Sequence, residues 1–198
     1  MTARTSQILL IASAFVAGLV LFAGAFILAS GNLAPSTPGV SAIGGPFQLI
    51  DQDGKPINEA ALKGKPTLVF FGYTHCPDIC PATLFDVSEV MRSLGSDADR
   101  AAALFITVDP ERDTPAVMKD YLSSFDPHLR GASGSDAAIE AVEKQYRVYA
   151  KKVPGDNGEY SMDHTALVYL MDKEGRFVAP FNLKRRPEES AAELRKYM

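Results

Sequence analysis

The sequence predicts an α/β domain built as a three-layer sandwich, and two observations support this fold class. Apolar runs without alternation occur at 67–74, 103–108 and 166–171, as in strands that are buried on both faces of a sheet. Amphipathic segments with helix-terminus signals lie between these runs. Strands and helices therefore alternate along the chain, and we expect helices to cover both faces of the sheet.

Two further strand segments are predicted at the borders of the domain. The domain opens with a hairpin at 47–57, because Asp53-Gly54 is a favoured turn between short apolar stretches. Near its end, the segment 175–181 follows a cluster of turn residues and is expected to pair back as an edge strand.

Helices are predicted at four places. Each has an apolar face or a terminus signal, such as the N-cap Thr114 followed by Pro115, or the stop residue Gly95. The predicted ranges are 81–94, 114–125, 135–148 and 187–198.

The N-terminal part of the chain differs from the domain. Residues 8–29 form an apolar run broken only by Ser13, and as a helix this run would span about 33 Å, enough to cross a hydrocarbon core of about 30 Å. The run exceeds the roughly 7–15 apolar residues of a secretory signal peptide. We therefore predict an uncleaved transmembrane anchor.

Charge predicts the orientation of that anchor. Arg4 precedes the span, and no charged residue follows until Asp51, so residues 1–7 are expected in the cytoplasm and the rest outside. Residues 30–45 are rich in Ser, Gly and Pro and are interpreted as a flexible tether. The domain at 46–198 would then lie outside the cytoplasm, at the periplasmic face of a bacterial inner membrane.

The amino-acid composition argues against two classes of protein. A net charge of -4 and a pI near 5.4 provide no overall basic field, so we expect no nucleic-acid partner. Two cysteines are too few for a disulfide-stapled small protein. Their close spacing in HCPDIC, at 75–80, is therefore the informative feature.

Both cysteines of this segment precede prolines, which disfavours helical backbone at those positions. We therefore expect a loop after the strand 67–74 and a helix from Pro81, with Cys80 at the N-cap. The amides and dipole there would lower the pKa of its thiol. A turned loop could bring Cys76 and Cys80 close enough for a disulfide or for one metal ion. Both possibilities stay open, although a purely structural staple is disfavoured because so short a ring removes little chain entropy.

A third ligand would complete a soft site. Copper(I) suits thiolates, copper(II) accepts a mixed set, and zinc with two cysteines and one histidine is chemically possible. Of the three histidines, His75 adjoins Cys76 and would point the opposite way in an extended chain. His128 lies in a turn-like segment, and His164 begins the apolar strand after a long loop at 148–163.

Three motifs in order resemble one known family. FFGYTHCPDICP, ITVDPERDTP and MDHTALVYLMDKEGRF are similar to segments of the Sco/SenC family of membrane-anchored copper-binding proteins, which assist assembly of cytochrome c oxidase. The resemblance implies a thioredoxin-like fold and a copper site at Cys76, Cys80 and His164. Thioredoxins have two residues between their cysteines, and the three found here argue against a general oxidoreductase.

The resemblance also implies partners. One is cytochrome c oxidase subunit II, whose binuclear copper site would receive Cu(I) or Cu(II). The other is a thiol reductant, which would keep the cysteines reduced, or another copper chaperone, which would supply the copper. We therefore expect a metallochaperone rather than an enzyme. A thiol–disulfide reductase acting on the cysteines of that subunit, or a tethered redox or copper sensor, remains an alternative.

Residues near the motifs receive weaker interpretations. Asp78 and Asp163 could orient a ligand from a second shell or cap a turn. Met162, two positions before His164, is interpreted as a packing residue with a thioether near the metal. The segment 108–113, VDPERD, is interpreted as a turn that leads into the capped helix.

Overall fold

The computed structural model describes residues 13–22 and 43–198. Residues 13–22 are helical and exposed. Within the described residues, no helix is both long and apolar enough to cross a membrane. The predicted segments 1–7, 8–29 and 30–45 lie wholly or mostly outside the described residues, so the anchor and the tether remain predictions.

Residues 43–198 contain a seven-stranded mixed sheet, a separate two-stranded sheet and four α-helices. The strands are β1 (Gln48–Asp51), β2 (Pro56–Asn58), β3 (Thr67–Gly72), β4 (Ala102–Thr107), β5 (Leu129–Ser133), β6 (Ala150–Pro154), β7 (Tyr160–His164), β8 (Val168–Met171) and β9 (Phe177–Pro180). The helices are α1 (Ile79–Leu94), α2 (Pro115–Leu122), α3 (Asp136–Tyr146) and α4 (Pro187–Arg195). The large sheet has the order β2-β1-β5-β4-β3-β8-β9, so the predicted hairpin and edge strand are confirmed.

Helices cover both faces of the large sheet. On one face Phe70 stacks on Phe105 at 5.8 Å between ring centroids, and Tyr121 of α2 packs on Phe105. On the other face Phe71 contacts Tyr146 of α3 at 5.4 Å. Because neighbouring residues of a strand point to opposite faces, these contacts establish the predicted three layers.

The sheet topology brings three connections to one edge. Strands β3 and β4 are parallel and in register from Thr67↔Ala102 to Gly72↔Thr107, so both end at the same edge. Strand β8 is antiparallel to β3, with Val168 opposite Phe70, and therefore begins there. The segments after β3, after β4 and before β8 meet at this edge.

One strand was not predicted, and one predicted loop is wrong. His128 lies in a turn, as predicted, but the chain then enters strand β5, which the sequence hides because Gly131 and Ala132 are poor strand residues. Gly131 is required by packing, since a Cβ there would lie 2.7 Å from Leu122 Cδ1 and 2.8 Å from Met118 Cε. The predicted long loop at 148–163 contains most of the β6–β7 hairpin, which pairs from Ala150↔His164 to Pro154↔Tyr160.

A buried carboxylate joins the N-terminal hairpin to the rest of the sheet. Asp51 is 4% exposed, and its Oδ1 accepts hydrogen bonds from the amides of Asp53 and Lys55, both at 2.9 Å. Its Oδ2 accepts a bond from Arg130 Nη2 on β5 at 2.8 Å. Burial alone would raise the pKa of Asp51, but these donors outweigh burial and hold the pKa below its usual value of 3.8.

We predict that replacement of this carboxylate causes a pH-dependent loss of stability. Because the pKa of Asp51 is lowered on folding, its contribution is complete above the usual pKa and is lost as the pH falls towards the folded pKa. We expect Asp51→Asn to lower the free energy of unfolding by about 1–3 kcal/mol at pH 7, and by progressively less below pH ~4. Urea unfolding at pH 7, 4 and 3 measures this difference.

Asp53→Asn is the control, because Asp53 forms an exposed ion pair with Lys119 and should change stability little. An Asp51→Asn effect that is equal at every pH would contradict the assignment.

Candidate metal centre

The loop after β3 carries Cys76 and leads directly into α1. The helix begins at Ile79 with Asp78 as N-cap, two residues earlier than predicted, so Cys80 lies inside the first turn. Pro81 is tolerated because first-turn amides have no acceptor within the helix. The Cys80 amide instead donates to Cys76 Sγ at 3.4 Å, which places both sulfurs at the N-terminus of α1.

Cys80 is completely buried, with 0% of its surface exposed. The room for its sulfur comes from Gly72, where a Cβ would lie 2.7 Å from Cys80 Sγ. This burial raises the pKa of the Cys80 thiol. The predicted lowering of the Cys80 pKa is therefore wrong, because the thiol is sealed against the sheet.

Cys76 has the opposite character. It is only partly buried and packs against the edge of the core. Burial alone would raise the pKa of Cys76, but hydrogen bonds from the backbone amides of Asp78, Cys80 and Ile79 outweigh it and lower that pKa. The stabilisation predicted for a thiolate at the helix N-terminus thus applies to Cys76. Both cysteines are free thiols, and the disulfide between them remains a prediction.

His164 reaches this pair from the β6–β7 hairpin. It is the last residue of β7, not the start of the following strand, and its Nε2 lies 3.5 Å from Cys80 Sγ. Its Nδ1 lies 3.0 Å from the Thr165 carbonyl oxygen. A carbonyl can only accept, so the proton is on Nδ1 and the lone pair of Nε2 points at the sulfur.

The other two histidines lie elsewhere. The exposed His75 places Nδ1 3.1 Å from Thr74 Oγ1 and 3.9 Å from Asp113 Oδ1. His128 is held by Asp126 at 2.7 Å and by Asp99 at 3.1 Å. All three histidines are among the described residues, and only His164 has a ring nitrogen beside a cysteine sulfur.

The VDPERD segment does more than turn into a helix. Thr114 does cap α2, accepting from the Val117 amide, as predicted. The preceding Asp113 is 0% exposed and accepts hydrogen bonds from the hydroxyls of Thr107 and Thr74, both at 2.6 Å. The Thr74 amide donates to it as well, at 3.0 Å. Asp113 therefore ties the start of the cysteine loop to the end of β4.

Comparison with known proteins now places the chain in a family. The pattern of the SCO1/SenC family matches residues 35–198. The chain belongs to the SCO1/SenC family. An SCO2-like protein of Rickettsia felis is 40% identical over 149 residues, which cover 74% of this chain and 73% of the relative.

Solved structures of the family share this fold. The structure of Bradyrhizobium japonicum ScoI with copper bound is 68% identical, covers 79% of this chain and 99% of its own, and superposes with a TM-score of 0.77. Yeast Sco1 with copper bound is 36% identical, covers 78% of this chain and 87% of its own, and has a TM-score of 0.71. The thioredoxin-like α/β fold that the resemblance implied is confirmed.

The two predicted supporting carboxylates of this SCO1/SenC chain are exposed. Asp78 occupies the N-cap without a side-chain cap bond, and Asp163 lies on β7 opposite Lys151. The Thr165 carbonyl, which accepts from the His164 ring, was not predicted from the sequence. Met162 packs against the core.

The three candidate ligands lie close together without forming a closed site. Among the described residues, no three His, Cys, Asp or Glu side chains already have the mutual spacing that holds a metal ion. Cys80 and His164 are in contact and Cys76 Sγ accepts from the Cys80 amide, so we expect the three side chains to adjust when a metal ion binds. Two thiolates and one imidazole form a soft donor set, which suits copper(I).

The burial of the cysteines predicts their order of modification. Iodoacetamide reacts with exposed thiolates, so in the native protein it should label Cys76 first and leave Cys80 largely unmodified. Mass spectrometry of a labelling time course under reducing conditions measures both rates. In urea the two rates should converge, and equal rates in the native protein would contradict the burial of Cys80.

Proposed function

We propose that this chain is a copper chaperone that binds one copper ion through Cys76, Cys80 and His164 and helps to metallate the binuclear copper site of cytochrome c oxidase subunit II. The contact of 3.5 Å between Cys80 Sγ and His164 Nε2, beside Cys76 at the same helix N-terminus, carries the proposal. Thiolates are the preferred donors for copper(I), and the imidazole extends the site to copper(II).

Structures of related proteins support copper as the metal. Bradyrhizobium japonicum ScoI and Arabidopsis thaliana ScoI, 68% and 38% identical to this chain, have structures with copper bound. The role in oxidase assembly comes from family membership. BsSco, a neighbour of 24% identity, is a member of the Sco family of cytochrome c oxidase assembly proteins.

The unequal burial of the ligands suggests how copper would be exchanged. Cys76 is partly exposed, whereas Cys80 is fully buried against β3. An incoming or outgoing copper ion would meet Cys76 first and the buried pair of Cys80 and His164 last. The partner would thus replace the ligands one at a time, so that the ion is never released to water.

Copper stoichiometry tests the ligand set. Reduced protein should bind one copper, and oxidation to the 76–80 disulfide should abolish binding. Cys76→Ser or Cys80→Ser leaves one soft ligand and should lose nearly all tight binding. His164→Ala keeps both thiolates and should retain Cu(I) but lose Cu(II) and its thiolate absorption, because Cu(II) needs the nitrogen donor more.

Two histidine variants control this experiment. His128→Ala removes an imidazole bound to Asp126 and should leave copper binding unchanged. His75→Ala tests the histidine next to Cys76. If His75→Ala loses the thiolate–Cu(II) spectrum while His164→Ala keeps it, the proposed ligand set is wrong.

A second candidate function is disulfide reduction. The lowered pKa of the accessible Cys76, with Cys80 behind it, is the arrangement of an attacking and a resolving thiol. Cys76 thiolate would attack a partner disulfide and release one partner thiol, and Cys80 would then break the mixed disulfide. The partner gains two electrons, and a thiol reductant must restore the pair.

Two assays separate the candidates. A chaperone should carry about one copper per chain and turn over disulfide substrates no faster than free dithiols do. Rapid turnover of an oxidised subunit II peptide without stable copper binding would favour the reductase. Copper binding without transfer to subunit II would instead favour a tethered sensor.

We also propose that residues 8–29 anchor the chain and that the copper domain lies on the periplasmic side of a bacterial inner membrane. The position of Arg4 before the apolar run and the uncharged stretch after it support this topology. A reporter active only in the cytoplasm, fused at the C-terminus, should be silent. The same fusion without residues 1–29 should be active, and activity of the full-length fusion would reverse the proposed topology.

A further inference from the structure

The hairpin that carries His164 is only lightly packed. Strands β6 and β7 form a sheet of their own, and four of the five β6 residues are exposed. A cavity of about 240 Å³ lies between the hairpin, α3 and the segment 108–111. A few specific contacts must therefore decide where the hairpin, and with it His164, lies relative to Cys80.

Arg112 supplies several of these contacts. Its Nη1 donates to the Tyr160 carbonyl oxygen at the start of β7, at 3.0 Å, and its guanidinium lies 3.6 Å from the centre of the Tyr160 ring. Its Nε forms an ion pair with Asp109 Oδ2, and the Tyr160 hydroxyl donates to Asp109 Oδ1 at 2.9 Å. Arg112, Asp109 and Tyr160 thus form a closed ring of contacts.

Because the charged side chains are buried, breaking these contacts is energetically unfavourable. Asp109 and Arg112 have only 2% and 17% of their side-chain surface exposed. Removal of one partner leaves the other charge buried and unpaired. The hairpin is therefore held to the segment after β4 by a charged, stacked contact that a neutral or flexible side chain cannot reproduce.

Arg112 also contacts the His164 imidazole indirectly, through the ring of Tyr73. The guanidinium lies 5.7 Å from the centre of the Tyr73 ring. The same ring meets His164 edge-on, with centroids 5.8 Å apart and an interplanar angle of 87°. Tyr73 also belongs to the connection that follows β3, so Arg112 contacts both sides of the proposed site.

We infer that Arg112 is a positioning residue for His164: it fixes the β6–β7 hairpin through Tyr160 and Asp109 and so holds the imidazole against Cys80. The inference rests on the proposed copper site and assigns a role to a residue that does not touch the metal. Its neighbour Asp113 holds the cysteine loop. Two consecutive residues therefore fix the two ligand-bearing segments relative to each other.

Copper binding by Arg112→Gln tests the inference. The variant should still bind about one Cu(I) through the thiolates. Its Cu(II) affinity should fall by about 10–100-fold, as is typical when support behind a ligand is lost. The thiolate–Cu(II) absorption should change in the direction of His164→Ala. Arg112→Lys should recover only part of this loss, because an ammonium cannot make the paired and stacked contacts together.

Arg130→Gln is the matched control. Arg130 also pairs with a buried aspartate, Asp51, but on strand β5 and without contact to the hairpin. The Arg130→Gln variant should be less stable than the parent protein but should keep the parental Cu(II) spectrum. In a His164→Ala background, Arg112→Gln should not weaken Cu(I) binding further, since its effect passes through the missing imidazole.

A metal-free readout separates this inference from the proposed function. Amide hydrogen exchange at 150–164 in the full-length, metal-free protein should be faster in Arg112→Gln and unchanged in Arg130→Gln. If the parent protein binds no copper, the proposed function fails and the exchange rates alone decide the inference. Should Arg112→Gln not fold, Tyr160→Phe removes only the hydroxyl bond to Asp109 and should produce a smaller change of the same kind.

The opposite results overturn the inference. Parental Cu(II) affinity and parental exchange at 150–164 in Arg112→Gln would show that the hairpin does not depend on this contact. Equal losses of Cu(I) and Cu(II), matched by Arg130→Gln, would assign Arg112 to general stability instead of the position of His164.

Discussion

The buried carboxylate of Asp113 is the constraint on which the site depends. It has no exposed surface, so its oxygens must be satisfied inside the protein, and Thr74 and Thr107 supply the donors. Thr107 is the last residue of β4, and Thr74 lies two residues after the end of the parallel strand β3. The cysteine loop is thereby fixed to the sheet edge where β8 begins, and the side chain of Arg112 extends the same segment to the hairpin. The proposed ligands Cys80 and His164, 84 residues apart in sequence, are in contact without a metal ion, which would reduce the ordering that binding otherwise requires.

The sheet buries the two cysteines unequally. Gly72 lets Cys80 sink against β3, where burial raises the pKa of its thiol. Cys76 stays partly exposed, and hydrogen bonds from backbone amides lower the pKa of its thiol against the effect of burial. Removal of a Cys80 proton thus requires a strong compensating partner, and a bound cation supplies one. The adjacent lone pair of His164 Nε2 would stabilise the same ion, so the buried half of the site favours metal over free thiolate.

Local patterns in the sequence predicted the core strands β3, β4 and β8, the edge strand and the approximate helices, because continuous apolar runs and cap residues act at short range. They did not predict β5, whose glycine is required by Met118 and Leu122, residues that only the fold brings near. Nor did they predict the β6–β7 hairpin, whose ladder depends on backbone pairing and not on an apolar face.

The predicted direction of the Cys80 pKa shift was wrong because the local sequence indicates the helix terminus but not the burial of the thiol against the sheet. The roles of Asp113 and Arg112 were hidden because their partners, Thr74 and Tyr160, are distant in sequence. A usable signal was present in the charged residues of VDPERD directly after a buried strand, where charge is costly unless it is paired.

X-ray absorption at the copper edge of the reduced, Cu(I)-loaded full-length protein tests the central claim most directly, because it counts the donor atoms around the ion without any substitution. If Asp113 and Arg112 hold both ligand-bearing segments in place, each copper should have two sulfur neighbours and the scattering signature of a single imidazole. Sulfur neighbours alone, or two imidazoles, would contradict the account, since His164 would then not share the ion with Cys76 and Cys80 as proposed.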